Sequence, residues 1–144
     1  VHSRPIIEDV SRINKFEVTK KGSEVAVIAL GDFYQKGENL CALLKEKLNV
    51  DATLVNPRFA SAVDEEVLGS LIPDHKLVIT LEDGVLEGGF GYKVANFFGD
   101  KKILVKNYGL GKKFYDRYDP SALLKELGAD DDSIVEYVKE TLGK

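Results

Sequence analysis

The stretch HKLVITLEDGVLEGGFGYKVANFF, residues 75–98, decides how the whole chain is read. LVITL (77–81) is a continuous, β-branched run without polar alternation, the pattern of a strand covered on both faces. Glu82 and Asp83 close it, glycines 88, 89 and 91 follow, and Phe90, Val94, Phe97 and Phe98 recur at a helical period. A strand that turns through glycine into a helix is part of a β-α-β unit, so the question is whether the turn grips a phosphate.

Three further runs repeat the strand pattern: VAVIAL (25–30), ATLV (52–55) and ILV (103–105). Helical periods lie between them, in Leu40, Leu43, Leu44 and Leu48 and in Val67, Leu68, Leu71 and Ile72. The alternation predicts an α/β domain, four parallel strands with helices on both sides. Asp64 is placed to cap the second helix, with Val63 and Leu68 as a hydrophobic staple. Asp119-Pro120 starts another helix, which Gly128 stops. Asp130, Asp131 and Asp132 read as the first turn of a last helix with the stripe Ile134, Val135, Val138 and Leu142, rather than as a metal site. FEVTK (16–20) alternates as an edge strand does, and the short Lys21-Gly22-Ser23 turn would pair it with VAVIAL as a hairpin. Residues 1–15 show no sustained period and read as a linker into a single domain of residues 16–144.

With 144 residues, 44% apolar and 31% charged, the chain has an ordinary globular composition. No apolar run approaches the roughly 20 residues that span a bilayer. The net charge of −4 and pI near 5.3 disfavour nucleic acid and anionic membranes as partners. Cys41 is the only cysteine and His2 and His75 the only histidines, so neither a disulfide nor a Cys/His zinc cluster is expected, and the cytoplasm is the expected compartment. Cys41 falls on an apolar helix stripe and reads as a buried structural thiol; His75 reads as a surface turn residue, and Lys112 and Lys113 beside Phe114 and Tyr115 as a solvated loop. The absence of methionine and the Val-His-Ser start suggest a segment of a longer polypeptide.

As chemistry, the glycine turn falls short. Gly89 and Gly91 supply the first two positions of a dinucleotide fingerprint, but Val94 holds the third, and no Gly-Lys-Ser/Thr completes a Walker loop. A phospho-acceptor site built from Glu82, Asp83, Asp32 and Lys106 has too few acids and too few strands. What remains is a loop whose glycines permit close backbone approach, and the open question of what that loop faces.

The order of features carries more than any one motif. VAVIALGDFYQ, DATLVNPRFASAVDEEVL, the stretch 75–98, ILVKNYGL and LLKELGADDDSIVE, with these gaps, resemble the C-terminal domain of transketolase-like, thiamine-diphosphate-dependent enzymes. Within that family the likeness is greatest to the 1-deoxy-D-xylulose-5-phosphate synthases, favoured by the tail Glu126-Leu127-Gly128 followed by Asp130. Ser61-Ala62-Val63, where the family often has Lys-Pro-Leu, and Gly111-Lys112, where it often has Pro-Asp, depart from the pattern.

The resemblance implies a three-layer α/β/α fold with a five-stranded mixed sheet, order 1-3-2-4-5, strand 1 antiparallel at the edge beyond ATLV. VAVIAL and LVITL then become neighbours whose connections leave in opposite directions, opening a crevice at their carboxyl ends. Its walls, as interdomain or crevice contacts, would be Asp32, Phe33, Tyr34, Glu82, Asp83, Val85, Leu86, Gly88, Gly89 and Gly91. Thiamine diphosphate and magnesium would belong to preceding domains of the parent chain, with none in this segment, and a homodimer is implied. The segment itself would be catalytically silent. Two rivals stand beside this reading: the docking domain of a 2-oxo-acid dehydrogenase β-subunit, and an autonomous ligand-binding domain with Asp32, Tyr34, Glu82 and Asp83 as polar contacts.

Overall fold

The computed structural model describes residues 16–30, 33–57, 64–82, 90–99, 101–109 and 130–143, the side chains of Glu82 and Phe90 excepted. Their elements are β1 (Glu17–Lys20), β2 (Glu24–Ala29), α1 (Tyr34–Leu48), β3 (Thr53–Asn56), α2 (Glu65–Leu71), β4 (His75–Glu82), α3 (Phe90–Phe97), β5 (Leu104–Gly109) and α4 (Asp131–Leu142). One mixed sheet has the order β1-β3-β2-β4-β5. β1 runs antiparallel to β3, and the other pairings are parallel. This is the fold the resemblance implies. The hairpin expected from the short turn does not form, because β2 is already paired on both sides, Ala26 with Thr53 and Ala26 with Val78. The Ser23 N–H bonds the Asp51 carbonyl at 2.8 Å, carrying the chain past the start of β3.

Crossover handedness decides which helix covers which face. A β-α-β crossover is right-handed, so reversing the direction of travel along the sheet moves the helix to the opposite face. The β2-to-β3 step runs one way; β3-to-β4 and β4-to-β5 run the other. Accordingly Leu40, Cys41 and Leu44 of α1 pack on Val25, Val27, Ala29, Leu77, Ile79 and Leu81, joined by Ile134, Val135 and Val138 of α4. Leu68 and Leu71 of α2, Val94 of α3 and Phe98 pack on Ala26, Ile28 and Val78. Alternate residues of β2 and β4 thus serve two cores, which is why neither strand shows polar alternation. Gly37 lets α1 lie close: a β-carbon there would stand 2.8 Å from that of Ala29.

The helix ends match their sequence signals. Asp130 caps α4, where the Ser133 hydroxyl, bonded to it at 2.5 Å, holds its carboxyl below the usual range. Lys36 reaches Asp131 at 2.9 Å and ties α1 to α4. Asp64 caps α2, Oδ1 accepting from the N–H groups of Glu66 and Val67. Its second oxygen accepts the Phe16 N–H at 2.9 Å, pinning the entry of the described chain to the start of α2. The linker at 1–15, Val63 of the staple and the helix expected at 119–128 lie outside the described residues.

Asp64→Ala removes acceptors from both a cap and a buried N–H, and should destabilise the fold by about 1–3 kcal/mol. Asp64→Asn keeps one acceptor oxygen but turns an amide toward a donor, and should lose less than alanine. Urea denaturation of the three proteins checks the order.

Candidate functional site

At the carboxyl end of the sheet, β2 and β4 stand side by side while their connections depart in opposite directions, the position where α/β sheets open a crevice. The ladder continues past β2, the Leu30 N–H donating to the Leu81 carbonyl at 2.9 Å. Of the residues expected to wall this crevice, Asp32, Asp83, Val85, Leu86, Gly88 and Gly89 lie outside the described residues, and Glu82 closes β4. Phe33 belongs to the core on the α1 side. The Tyr34 hydroxyl donates to Thr19 Oγ1 at 2.5 Å, toward the β1 edge. The described part of the site therefore rests on Gly91.

Gly91 sits in the first turn of α3, where a β-carbon would lie 2.7 Å from Asn107 Cγ, Asn107 Oδ1 and Thr80 Oγ1. Beneath it Thr80 donates to Asn107 Oδ1 at 2.6 Å, joining β4 to β5. The glycine thus seats a helix directly on a polar cross-strand pair. The next residue, Tyr92, points outward and is 69% exposed. The sequence singles out neither Thr80 nor Tyr92: Thr80 is the one hydroxyl in an apolar run, and Tyr92 falls off the helical stripe of Phe90, Val94, Phe97 and Phe98.

His75 corrects an expectation. It is the first residue of β4, only 5% exposed, and not a surface turn residue. Its Nδ1 faces the Leu71 carbonyl at 3.0 Å and the Asp74 carboxylate at 2.7 Å, so Nδ1 carries a proton. With the ring neutral, Nε2 accepts from the Thr53 hydroxyl at 2.8 Å, and that oxygen accepts the Gly22 N–H at 2.9 Å. Hydroxyl, imidazole and carboxylate follow the order of a nucleophilic triad. Thr53, however, is buried beneath the β1–β2 turn and its oxygen is already engaged, so the chain acts as a staple across four segments.

Other reactive groups are similarly occupied. Burial pushes the Cys41 thiol up to about 11, which disfavours the thiolate a nucleophile needs. Burial first, then the neighbouring Tyr137, raises Tyr108 to about 12. Lys106 lies over the rings of Tyr108 and Tyr137 at 5.6 and 5.3 Å, on the α4 face. Among the described residues no three His, Cys, Asp or Glu side chains gather to hold a metal ion. No helix described is long and apolar enough to cross a membrane.

Gly91→Ala should destabilise the domain by about 1–3 kcal/mol through overpacking against Thr80 and Asn107. Gly69→Ala in α2, where a β-carbon meets nothing within 4 Å, should be neutral or stabilising by up to about 1 kcal/mol. Urea midpoints of the pair distinguish a seat from an incidental glycine.

Comparison with known proteins agrees with this architecture. The transketolase C-terminal domain profile matches residues 14–134. The chain is 36% identical over 131 residues to 1-deoxy-D-xylulose-5-phosphate synthase of Alkaliphilus oremlandii, and 35% identical over 132 residues to that of Clostridium tetani. Each alignment covers 89% of this chain but only 21% of the relative. A split-gene transketolase, solved as an inactive β4 tetramer, superposes with a TM-score of 0.72 at 26% identity, over 90% of this chain and 43% of its own. With the predicted strand order, two-faced core and helix caps in place, the chain belongs to the transketolase C-terminal domain family.

Proposed function

We propose that this domain is the non-catalytic assembly domain of a thiamine-diphosphate-dependent transferase of the 1-deoxy-D-xylulose-5-phosphate synthase type, a cytoplasmic homodimer. The observation that carries the reading is the asymmetry of coverage: nine-tenths of this chain matches such synthases, while 21% of their length is matched in return. The parent reaction would join a two-carbon unit from pyruvate to glyceraldehyde 3-phosphate, the bound cofactor serving as the electron sink for decarboxylation. Among the described residues no acidic cluster stands ready for magnesium. On this reading the cofactor belongs to the part of the polypeptide outside this domain, about four-fifths of the length of such synthases.

The role left to this domain is to hold the catalytic parts in register. On this reading the segment 83–89, with Val85 and Leu86, meets a protein surface rather than a substrate. The seat of Gly91 supports it, since the segment leads into a firmly anchored helix, which suits a fixed interface.

Two measurements test the proposal. Titration of the domain with thiamine diphosphate and magnesium should give no binding heat, and micromolar binding at one site would overturn the assignment. In the full-length enzyme, serine at both Val85 and Leu86 should raise the dimer dissociation constant or loosen this domain while leaving substrate affinity in the remaining dimer unchanged. An intact dimer with collapsed substrate affinity would instead make the loop a ligand site.

A further inference from the structure

Among the described residues three large apolar side chains stand exposed: Val18, Leu104 and Tyr92. Val18 is on the edge strand, and Leu104 opens β5 at the amino end of the sheet. Tyr92 lies in the first turn of α3, on a helix held from below. Gly91 seats one end of that helix, and Val94 and Phe98 bury its inner face. Its outer face carries Tyr92 and Asn96 one turn apart, with Lys93 and Phe97 beside them. Together with Glu65 of α2 they wall a cleft of about 280 Å³. Phe97, at its far end, is itself fixed: Phe98 meets it edge-on with centroids 5.1 Å apart, and Lys101 lies 5.3 Å from its ring centre.

We propose that this cleft between Tyr92 and Phe97 is the seat of the domain immediately N-terminal to this one in the same polypeptide. The inference rests on the assembly reading above and names the surface and partner for it. The argument for that occupant is where the chain enters. The Phe16 N–H is bonded to Asp64, and Glu65, the next residue after Asp64, is a wall of the cleft. Phe16, the first described residue, is thus bonded beside a wall of the cleft, at the same end of the sheet as the starts of α2 and α3. The synthases it resembles extend to about five times the matched length, and the matching family is a C-terminal domain, so a large N-terminal body would meet this corner first.

The chemistry of the cleft suits such a partner. An exposed tyrosine on a rigid helix is the kind of anchor that concentrates binding energy, and it costs little side-chain entropy to immobilise. Glu65 and Lys93 give the rim both signs of charge, which fits a mixed polar rim and not a polyanion. The expected occupant is an aliphatic or aromatic side chain of the preceding domain, inserted between the Tyr92 and Phe97 rings.

The test uses the full-length polypeptide with Tyr92→Arg, the milder Tyr92→Ser, and Leu104→Arg as a control at an exposed apolar site at the other end of the sheet. Hydrogen exchange is followed on residues 90–99, with the amides of β2 and β4 reporting that the domain remains folded. Both Tyr92 variants should speed exchange across 90–99 by roughly tenfold and split a single melting transition into two, while β2 and β4 stay protected and the control behaves as the parent. Parental exchange and melting in both variants would overturn the inference. Should the paired serine substitutions at Val85 and Leu86 still loosen the assembly in that case, the assembly reading survives and only this surface is wrong. Loss of the dimer with exchange and melting otherwise parental would place a second copy on the cleft, which also overturns it.

Discussion

The parallel pairing of β2 with β4 is the constraint from which the rest follows. From Val25 to Ala29, β2 is fully buried, with β3 on one side, β4 on the other and helices above and below. A strand so enclosed cannot alternate apolar and polar residues, and it cannot accept β1 as a hairpin partner. Because β3 and β4 flank it, the chain must cross once in each direction. Right-handed crossovers then place α1 on one face and α2 and α3 on the other.

The same geometry gathers chain starts and helix starts at one end of the sheet. β1 is antiparallel, so Phe16 enters beside the carboxyl ends of the parallel strands. Asp64 there satisfies two demands with one carboxylate, capping α2 and holding the incoming backbone. Gly91 seats α3 against Thr80 and Asn107 nearby. The opposite end is closed by a hydrogen-bonded chain from Gly22 through Thr53 and His75 to Leu71 and Asp74. One end is stapled, and the other carries the exposed Tyr92, a division that suits the proposed assembly role.

Several groups with chemical potential are restrained by their packing. Cys41, Tyr108 and the Thr53–His75 pair all sit where burial or a fixed partner disfavours reactivity. In the Thr53–His75–Asp74 chain the hydroxyl is buried and already engaged by the Gly22 N–H, so its geometry is that of a structural link.

Read alone, the sequence determined what local physics enforces. The unalternating runs at 25–30, 52–55 and 77–81 marked buried strands, whereas that at 103–105 proved to be the edge strand β5 with Leu104 exposed. Helical periods marked α1 to α4, Asp64 announced the cap of α2 and the acidic triplet the start of α4. Cys41 was legible as a buried thiol because its neighbours on the stripe are leucines. Strand order was not legible from patterning: a short turn favours a hairpin, and only competition for the edges of β2 excludes it. The family resemblance supplied that order. The site was legible only in outline, through the strand-to-glycine passage at 75–98. Tertiary structure alone decided that His75 is a buried staple, that Gly91 is required by the Thr80–Asn107 pair below it, and that Tyr92 stands exposed in a cleft with Glu65 and Phe97. Each of these depends on residues distant in sequence meeting across the sheet, and a side chain's own neighbours along the chain carry no record of what will pack against it.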